Sequence, residues 1–161
     1  MQNQTIYVMT GLIGSGKSTK ARELVMADDS TVAVNRDHMR TMLNAGTYDF
    51  DAKTEPLNLE LQNLATNMAL EWGFNVVLDA CFLKKEHRRE VIRSFGSSIK
   101  KVCVYCTENI HNIRNRMTNP RGFDELYWQA VYDRMAEVYE PPTAAEGFDE
   151  IITHEIDYAM S

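Results

Sequence analysis

Residues 11–18 read Gly11-Leu12-Ile13-Gly14-Ser15-Gly16-Lys17-Ser18 and match the GxxxxGKS pattern of a phosphate-binding loop. Glycines at the first, fourth and sixth positions let the backbone turn so that successive N–H groups face phosphate oxygens. A helix that follows adds the positive end of its dipole. Lys17 is placed to bridge the β and γ phosphates of a nucleoside triphosphate, and the Ser18 hydroxyl to hold Mg²⁺; Thr19, next in line, is expected to face the helix interior. Gly11 through Thr19 is therefore the candidate nucleotide-binding segment, with ATP and Mg²⁺ as the implied ligands. The competing reading, a glycine turn that only packs a helix on a strand, does not explain the Lys-Ser pair.

A second group of residues has the chemistry to receive a phosphoryl group. Asn35-Arg36-Asp37-His38-Met39-Arg40 puts a carboxylate and two guanidinium groups together. Asp37 can orient an acceptor hydroxyl and take its proton. Arg40, one helical turn further on, can hold an acceptor phosphate or a second carboxylate. The same spacing also allows Asp37 to be a helix N-cap with Arg40 as its surface partner. Arg114, Arg116 and Arg121 flank Met117-Thr118-Asn119-Pro120, and arginines in such a stretch could close over a transferring phosphate or merely complement a helix dipole. Arg116 and Arg121 are the lid candidates. Lys84, Lys85, Arg88, Arg89 and Arg93, with His87, concentrate cations in ten residues, either as a solvated helix face or as a hold on oligonucleotide phosphates, for which Lys84 and Arg88 are the candidates. The four histidines show no metal-ligand spacing. Cys103 and Cys106, inside an apolar run, read as reduced core thiols.

The elements that must position these groups alternate. Thr5 to Thr10 is β-rich and ends at Gly11, and Ala21, Leu24 and Val25 follow with helical spacing. Further strands are expected at Thr31 to Val34, Asn75 to Asp79, Ile99 to Cys106 and Glu150 to Thr153. Helices are expected after Asn35, from Asp51 to Trp72 with Leu57, Leu61, Leu64, Ala65, Met68 and Trp72 as one apolar face, from Lys84 to Phe95, after a cap at Thr107, and across a core stripe Trp128, Val131, Tyr132, Met135 and Tyr139. Strands alternating with helices imply an α/β three-layer sandwich, a parallel sheet of four to five strands with helices on both faces.

Composition sets the outer limits. The chain has 161 residues, 44% apolar and 25% charged, enough for one self-sufficient domain over residues 1–161 with a lid near 112–125. Its net charge of −6 argues against binding polyanions by overall charge. No run approaches the roughly 20 apolar residues of a membrane span, and the start lacks a leader's basic and apolar regions; a cytosolic protein with no membrane partner is expected. A phosphate loop alone does not separate kinases from GTPases and motor ATPases. The chain is too short for an AAA+ or helicase core, and it has neither NKxD nor an apolar strand ending in Asp-Glu. A small phosphotransferase remains.

Gly11–Thr19, the segment 35–40, Val76-Val77-Leu78-Asp79-Ala80-Cys81-Phe82 with the basic run to Glu90, and the arginines near 114–121 together resemble the polynucleotide 5′-kinase family of phages and its relatives among small P-loop kinases. The likeness extends to Tyr139-Glu140-Pro141-Pro142 and to 146–152. It implies a P-loop kinase fold, ATP as donor, Asp37 as general base, Arg40 on the acceptor phosphate, Lys17 with Arg116 and Arg121 on the transferred phosphate, and Asp79 as the residue that fixes Arg40. The combined loop, 35–40 segment and lid imply a nucleic-acid hydroxyl as acceptor, the 5′-OH of DNA or RNA first, while Asp79-Ala80-Cys81-Phe82, where the family tends to have Asp-Thr-Asn, is closer to relatives acting on other hydroxyls. A hydroxymethylated base, or a nucleoside, sugar or antibiotic, stands as the alternative, and a non-catalytic nucleotide-gated module as the contrasting class. Lys17→Ala is expected to abolish MgATP use while leaving the circular dichroism spectrum unchanged; unaltered turnover would overturn the assignment of the loop.

Overall fold

The computed structural model describes residues 3–155. Five parallel strands, β1 (Thr5–Thr10), β2 (Thr31–Asn35), β3 (Asn75–Asp79), β4 (Lys100–Cys106) and β5 (Glu150–His154), form one sheet in the order β2-β3-β1-β4-β5. The helices are α1 (Lys17–Ala27), α2 (Arg36–Leu43), α3 (Glu55–Glu71), α4 (Lys85–Ser94), α5 (Asn112–Arg116) and α6 (Glu125–Val138), with a 3₁₀ turn at Ala144–Glu146. The β1–β4 segments are short apolar runs because both faces are covered. On one face Ile6, Val8, Val34, Val76 and Leu78 pack under Met39, Ala65, Ala69, Leu70, Val91 and Phe95. On the other, Met9, Val77, Val102, Val104 and Cys106 meet Ala21, Leu24 and Val25 of α1. This is the expected three-layer α/β sandwich. The chain leaves β1 toward one sheet edge and returns across it from β3 to β4, so the strand order reverses beside β1. Ligands bind outside the carboxyl ends of strands at such a reversal.

Three packing expectations are corrected. Most large residues of the expected apolar face of α3 do not meet the sheet: Leu57, Leu64, Met68 and Trp72 are exposed, Trp72 by 77%. The buried face is instead Asn58, Gln62 and Thr66 beside the small Ala65 and Ala69. Small residues let α3 approach the sheet, and the polar ones hydrogen-bond there: Asn58 Nδ2 donates to the Arg36 carbonyl at 3.2 Å, Gln62 Oε1 accepts from Arg36 Nε at 3.1 Å, and Thr66 Oγ1 donates to the Gln62 carbonyl at 2.7 Å, while Asn58 Oδ1 has no hydrogen-bond partner among the described residues. Thr107 caps no helix; its N–H donates to the His154 carbonyl, and α5 begins five residues later. Of the α6 stripe only Trp128 is fully buried, while Val131 and Met135 line a cleft.

Arg88 is the fourth correction. It does not sit on a solvated helix face or reach toward a ligand. Its side chain has no exposed surface, its Nε and Nη2 pair with Glu146 at 2.8 and 2.7 Å, and its remaining donors reach the carbonyls of Phe82 at 2.8 Å, Leu83 at 3.2 Å and Glu140 at 2.8 Å. Every N–H direction of the guanidinium meets oxygen, the condition under which a charge can be buried. Glu146 is fixed in turn by a capping box with Thr143. Burial pushes the Glu146 carboxyl up, but Arg88 outweighs this and holds it below its ordinary value. Arg88→Met should cost about 3–5 kcal/mol, the range for orphaning one member of a buried pair, read as a lower urea midpoint; a loss below about 1 kcal/mol would overturn the structural role.

Candidate active site

Gly16 adopts a left-handed φ of 91° and is followed by α1, whose first turn carries no acidic residue and no side-chain cap. The orphan N–H groups of that turn are thus left for a ligand. Gly14, at φ 69°, is pressed so closely against the Asn112 backbone that a Cβ would collide with its carbonyl. Gly11, Leu12, Ile13 and Ser15 are buried in the loop's body. Lys17 Nζ lies 2.7 Å from the Leu12 carbonyl, folded onto its own loop. Ser18 and Thr19 are exposed and line a cleft of about 1260 Å³ together with Gly14, Gly16 and Lys17. The expectation for Thr19 is corrected: the first turn of α1 stands clear of the sheet, so its side chain faces the cleft. This uncapped, acid-free cradle fits a polyphosphate, and Ser18 beside Asp79 supplies the oxygen donors a hard cation such as Mg²⁺ requires.

The carboxyl ends of β2 and β3 deliver Asp37, Arg40 and Asp79. Asn35, the last residue of β2, is the N-cap of α2, accepting from the His38 N–H at 2.9 Å. Asp37 is therefore not the cap and is free to face the cleft. One of its oxygens accepts from Arg40 and the other from Arg121 Nη1, the latter at 2.8 Å. Burial would raise the Asp37 carboxyl; Arg121 and then Arg40 outweigh it and hold the group below the usual carboxylate range.

Asp79 does not fix Arg40, as the family resemblance implied. It is 7% exposed, accepts from Asn35 Nδ2 at 2.7 Å and is hydrogen-bonded to Ser18. Burial raises its pKa, against the opposing effects of Ser18, Lys17 and Asn35. Arg40 is held instead by Glu55 at the start of α3, through Nε–Oε1 at 2.5 Å and Nη2–Oε2 at 2.9 Å. Burial lowers the Arg40 pKa, but Glu55 and Asp37 more than reverse it. Sequence reading missed Glu55 because its pairing spans 15 residues across a loop of no regular period. It equally missed Tyr48, whose ring carries Arg121 at 4.6 Å and Arg40 at 5.7 Å.

Arg116 and Arg121 both line the cleft. Arg116 lies 4.8 Å over the Trp128 ring and donates to the Asn119 carbonyl at 2.8 Å. Lys84 is exposed at the N-cap of α4 and lies outside the cleft lining; with Arg88 buried, neither candidate from the basic run touches the site. Burial pushes the Cys103 and Cys106 thiols up to about 12 and about 11, which keeps these free cysteines protonated at neutral pH. Among the described residues no His, Cys, Asp and Glu cluster forms a metal site, and no helix is long and apolar enough to cross a membrane.

Because Arg121 is the largest attractive influence on Asp37, Arg121→Gln should raise the Asp37 pKa, measured by carboxyl ¹³C titration. A depressed carboxyl pKa adds stability above its unfolded value of 3.8 and loses it as pH falls through the folded value. The variant should therefore show a smaller loss of stability on acidification below pH 5; an unmoved Asp37 titration would overturn the pairing.

Solved structures share this architecture at low identity. A fungal RNA kinase superposes with a TM-score of 0.62 at 17% identity, over 97% of this chain but 39% of its own. A chain of the Pnkp1/Rnl/Hen1 RNA repair complex gives 0.69 at 16% identity, over 99% of this chain and 54% of its own. The APS kinase of Mycobacterium tuberculosis, solved with AMPPNP and APS, gives 0.58 at 23% identity, over 96% and 91%. This chain thus spans two fifths to about half the length of the two RNA-processing proteins. No curated protein sequence matches it. A family model described as an AAA domain matches residues 6–142. With the phosphate loop, the 2-3-1-4-5 parallel sheet and the cleft at its carboxyl edge in place, the chain belongs to that AAA domain family and has the fold of a P-loop kinase.

Proposed function

We propose that the protein is an ATP-dependent kinase that transfers the γ-phosphate to a hydroxyl of a nucleic acid, the 5′-OH end of DNA or RNA. The observation that carries this reading is Asp37: a carboxylate aimed into the same cleft as Lys17 and Ser18, with a guanidinium on each oxygen. Only one oxygen has to be released for it to act as a base. The γ-phosphate is a stronger attractor for Arg121 than one carboxylate, so donor binding draws Arg121 away. Asp37 then accepts the hydroxyl proton as the acceptor oxygen bonds to the γ-phosphorus and the bond to the β,γ-bridging oxygen breaks, leaving ADP and a phosphate monoester.

The chain's own residues divide the remaining work. Lys17 leaves the Leu12 carbonyl for the β and γ oxygens, and Arg116 approaches the transferred group from the lid. Ser18, with Asp79 beside it, would hold Mg²⁺, and the ion when bound would supply neutralisation of phosphate charge. Arg40, fixed by Glu55, is poised for an acceptor phosphate. Arg36 supports a nucleic-acid acceptor: its Nε is engaged only by the neutral Gln62, it forms no ion pair among the described residues, and it lines both the cleft and an adjoining groove of about 480 Å³ that shares Phe50. An unpaired guanidinium beside exposed Phe50, Arg40 and Tyr48 suits a phosphate and a base.

The net charge of −6 favours, as the second reading, a small hydroxyl acceptor. Labelled γ-phosphate transfer to a single-stranded 5′-OH oligonucleotide, with Asp37→Asn as control, decides between them. Label at the 5′ end that falls at least 100-fold in the control, with ATP affinity retained, is expected. No label on any oligonucleotide, base-modified DNA included, with label on a nucleoside or sugar, would overturn the nucleic-acid reading.

A further inference from the structure

After β4 the chain returns to the phosphate loop and grips it from outside. Asn112, the first residue of α5, is 1% exposed; its Nδ2 donates to the Ile13 carbonyl at 2.9 Å and its Oδ1 accepts from the Asn109 N–H at 2.9 Å. One turn later Asn115 Nδ2 donates to the Gly14 carbonyl at 2.9 Å. Two consecutive carbonyls of the loop are thus held by two carboxamides spaced i, i+3 on one side of a single turn. The approach is close enough that only glycine fits at position 14.

A trans peptide carries its C=O and N–H on opposite sides. Fixing the Ile13 and Gly14 carbonyls toward α5 therefore turns the N–H groups of Gly14 and Ser15 away from α5, where the Ser15 N–H donates to the Leu12 carbonyl at 3.3 Å. The donor type also matters. A carboxylate could not donate to a carbonyl, and a lysine or arginine there would compete with the loop's own N–H groups for phosphate; a neutral amide does neither. The same turn runs directly into Arg116 and the loop bearing Arg121, so its attachment sets how far both arginines stand from the phosphates.

We propose that Asn112 and Asn115 are positioning residues for the nucleotide. They lock the phosphate loop with these N–H groups turned away from α5 and anchor the arginine-bearing lid to it. The proposal rests on nucleotide binding by the loop and not on the identity of the acceptor.

Asn115 is the residue to test, since truncating the fully buried Asn112 endangers folding. MgATP affinity of the full chain is measured by calorimetry for Asn115→Ala, Asn115→Asp and Asn115→Gln, alongside nucleotide-free thermal unfolding. Asn115→Ala should weaken ATP binding about tenfold, equivalent to about 1.4 kcal/mol. Asn115→Asp should weaken it further by setting a carboxylate against the Gly14 carbonyl, and Asn115→Gln, which keeps the donor, should recover most of the affinity. Melting temperatures should stay within a few degrees of the parent. ATP affinity within twofold of the parent for Asn115→Ala would overturn the proposal, as would losses across the three variants that merely follow their melting temperatures. Neither result depends on an acceptor, so failure here leaves the phosphotransfer reading standing, and failure to label an oligonucleotide leaves this one.

Discussion

The fully buried Arg88–Glu146 pair is the constraint on which the back of the site depends. Its guanidinium gathers the Phe82 and Leu83 carbonyls of the β3–α4 turn and the Glu140 carbonyl of the chain's closing segment. The same turn is stitched to the end of β1, where Thr10 Oγ1 donates to the Phe82 carbonyl at 3.0 Å and the Gly11 N–H to the Cys81 carbonyl at 3.3 Å. Phe82 adopts a left-handed φ of 42° within this knot, a conformation an isolated turn would not hold. The start of the phosphate loop thus rests on a turn whose Ala80 and Phe82 pack into the core and whose carbonyls are gathered by one buried charge. Such a pair adds little net stability over an apolar replacement. Its contribution is to fix geometry, because no other arrangement satisfies all the donors.

In front of that support the problem is the reverse: cations and carboxylates must stay reactive without collapsing on one another. Asp37, Arg40, Glu55 and Arg121 alternate in sign across the acceptor side, and Tyr48 presents its ring to both arginines. Glu55 neutralises Arg40, so the charge left to Asp37 is balanced mainly by Arg121. Arg121 sits in a loop at φ 56° and has no second carboxylate partner among the described residues. Of the two arginines on Asp37, the one with fewer carboxylate partners therefore guards the candidate base, an arrangement in which a competing phosphate can release it. On the side of the phosphate loop the carbonyls are gripped by Asn112 and Asn115 and the helix is left without a side-chain cap.

What the sequence determined by itself was local. The phosphate loop, the five β segments and the helices between them follow from glycine placement, β-branched runs and periodicity, all of which act over fewer than ten residues. Asn35 to Arg40 were legible as chemistry for the same reason, being contiguous. Tertiary structure decided the rest, because the deciding interactions join residues far apart in the chain. The apolar spacing of α3 was a sound helix signal and a misleading guide to its buried face, since only contact with Arg36 and a close-packed sheet makes Asn58, Gln62 and Thr66 better inside than leucine. Arg88 looked like one more surface cation until Glu146 was brought to it across 58 residues. The Arg40 partner changed from Asp79 to Glu55, and Asn112 and Asn115 gained a role, on the same ground: a side chain's charge and donors are fixed by the sequence, but which oxygen they meet is fixed only when the chain is packed.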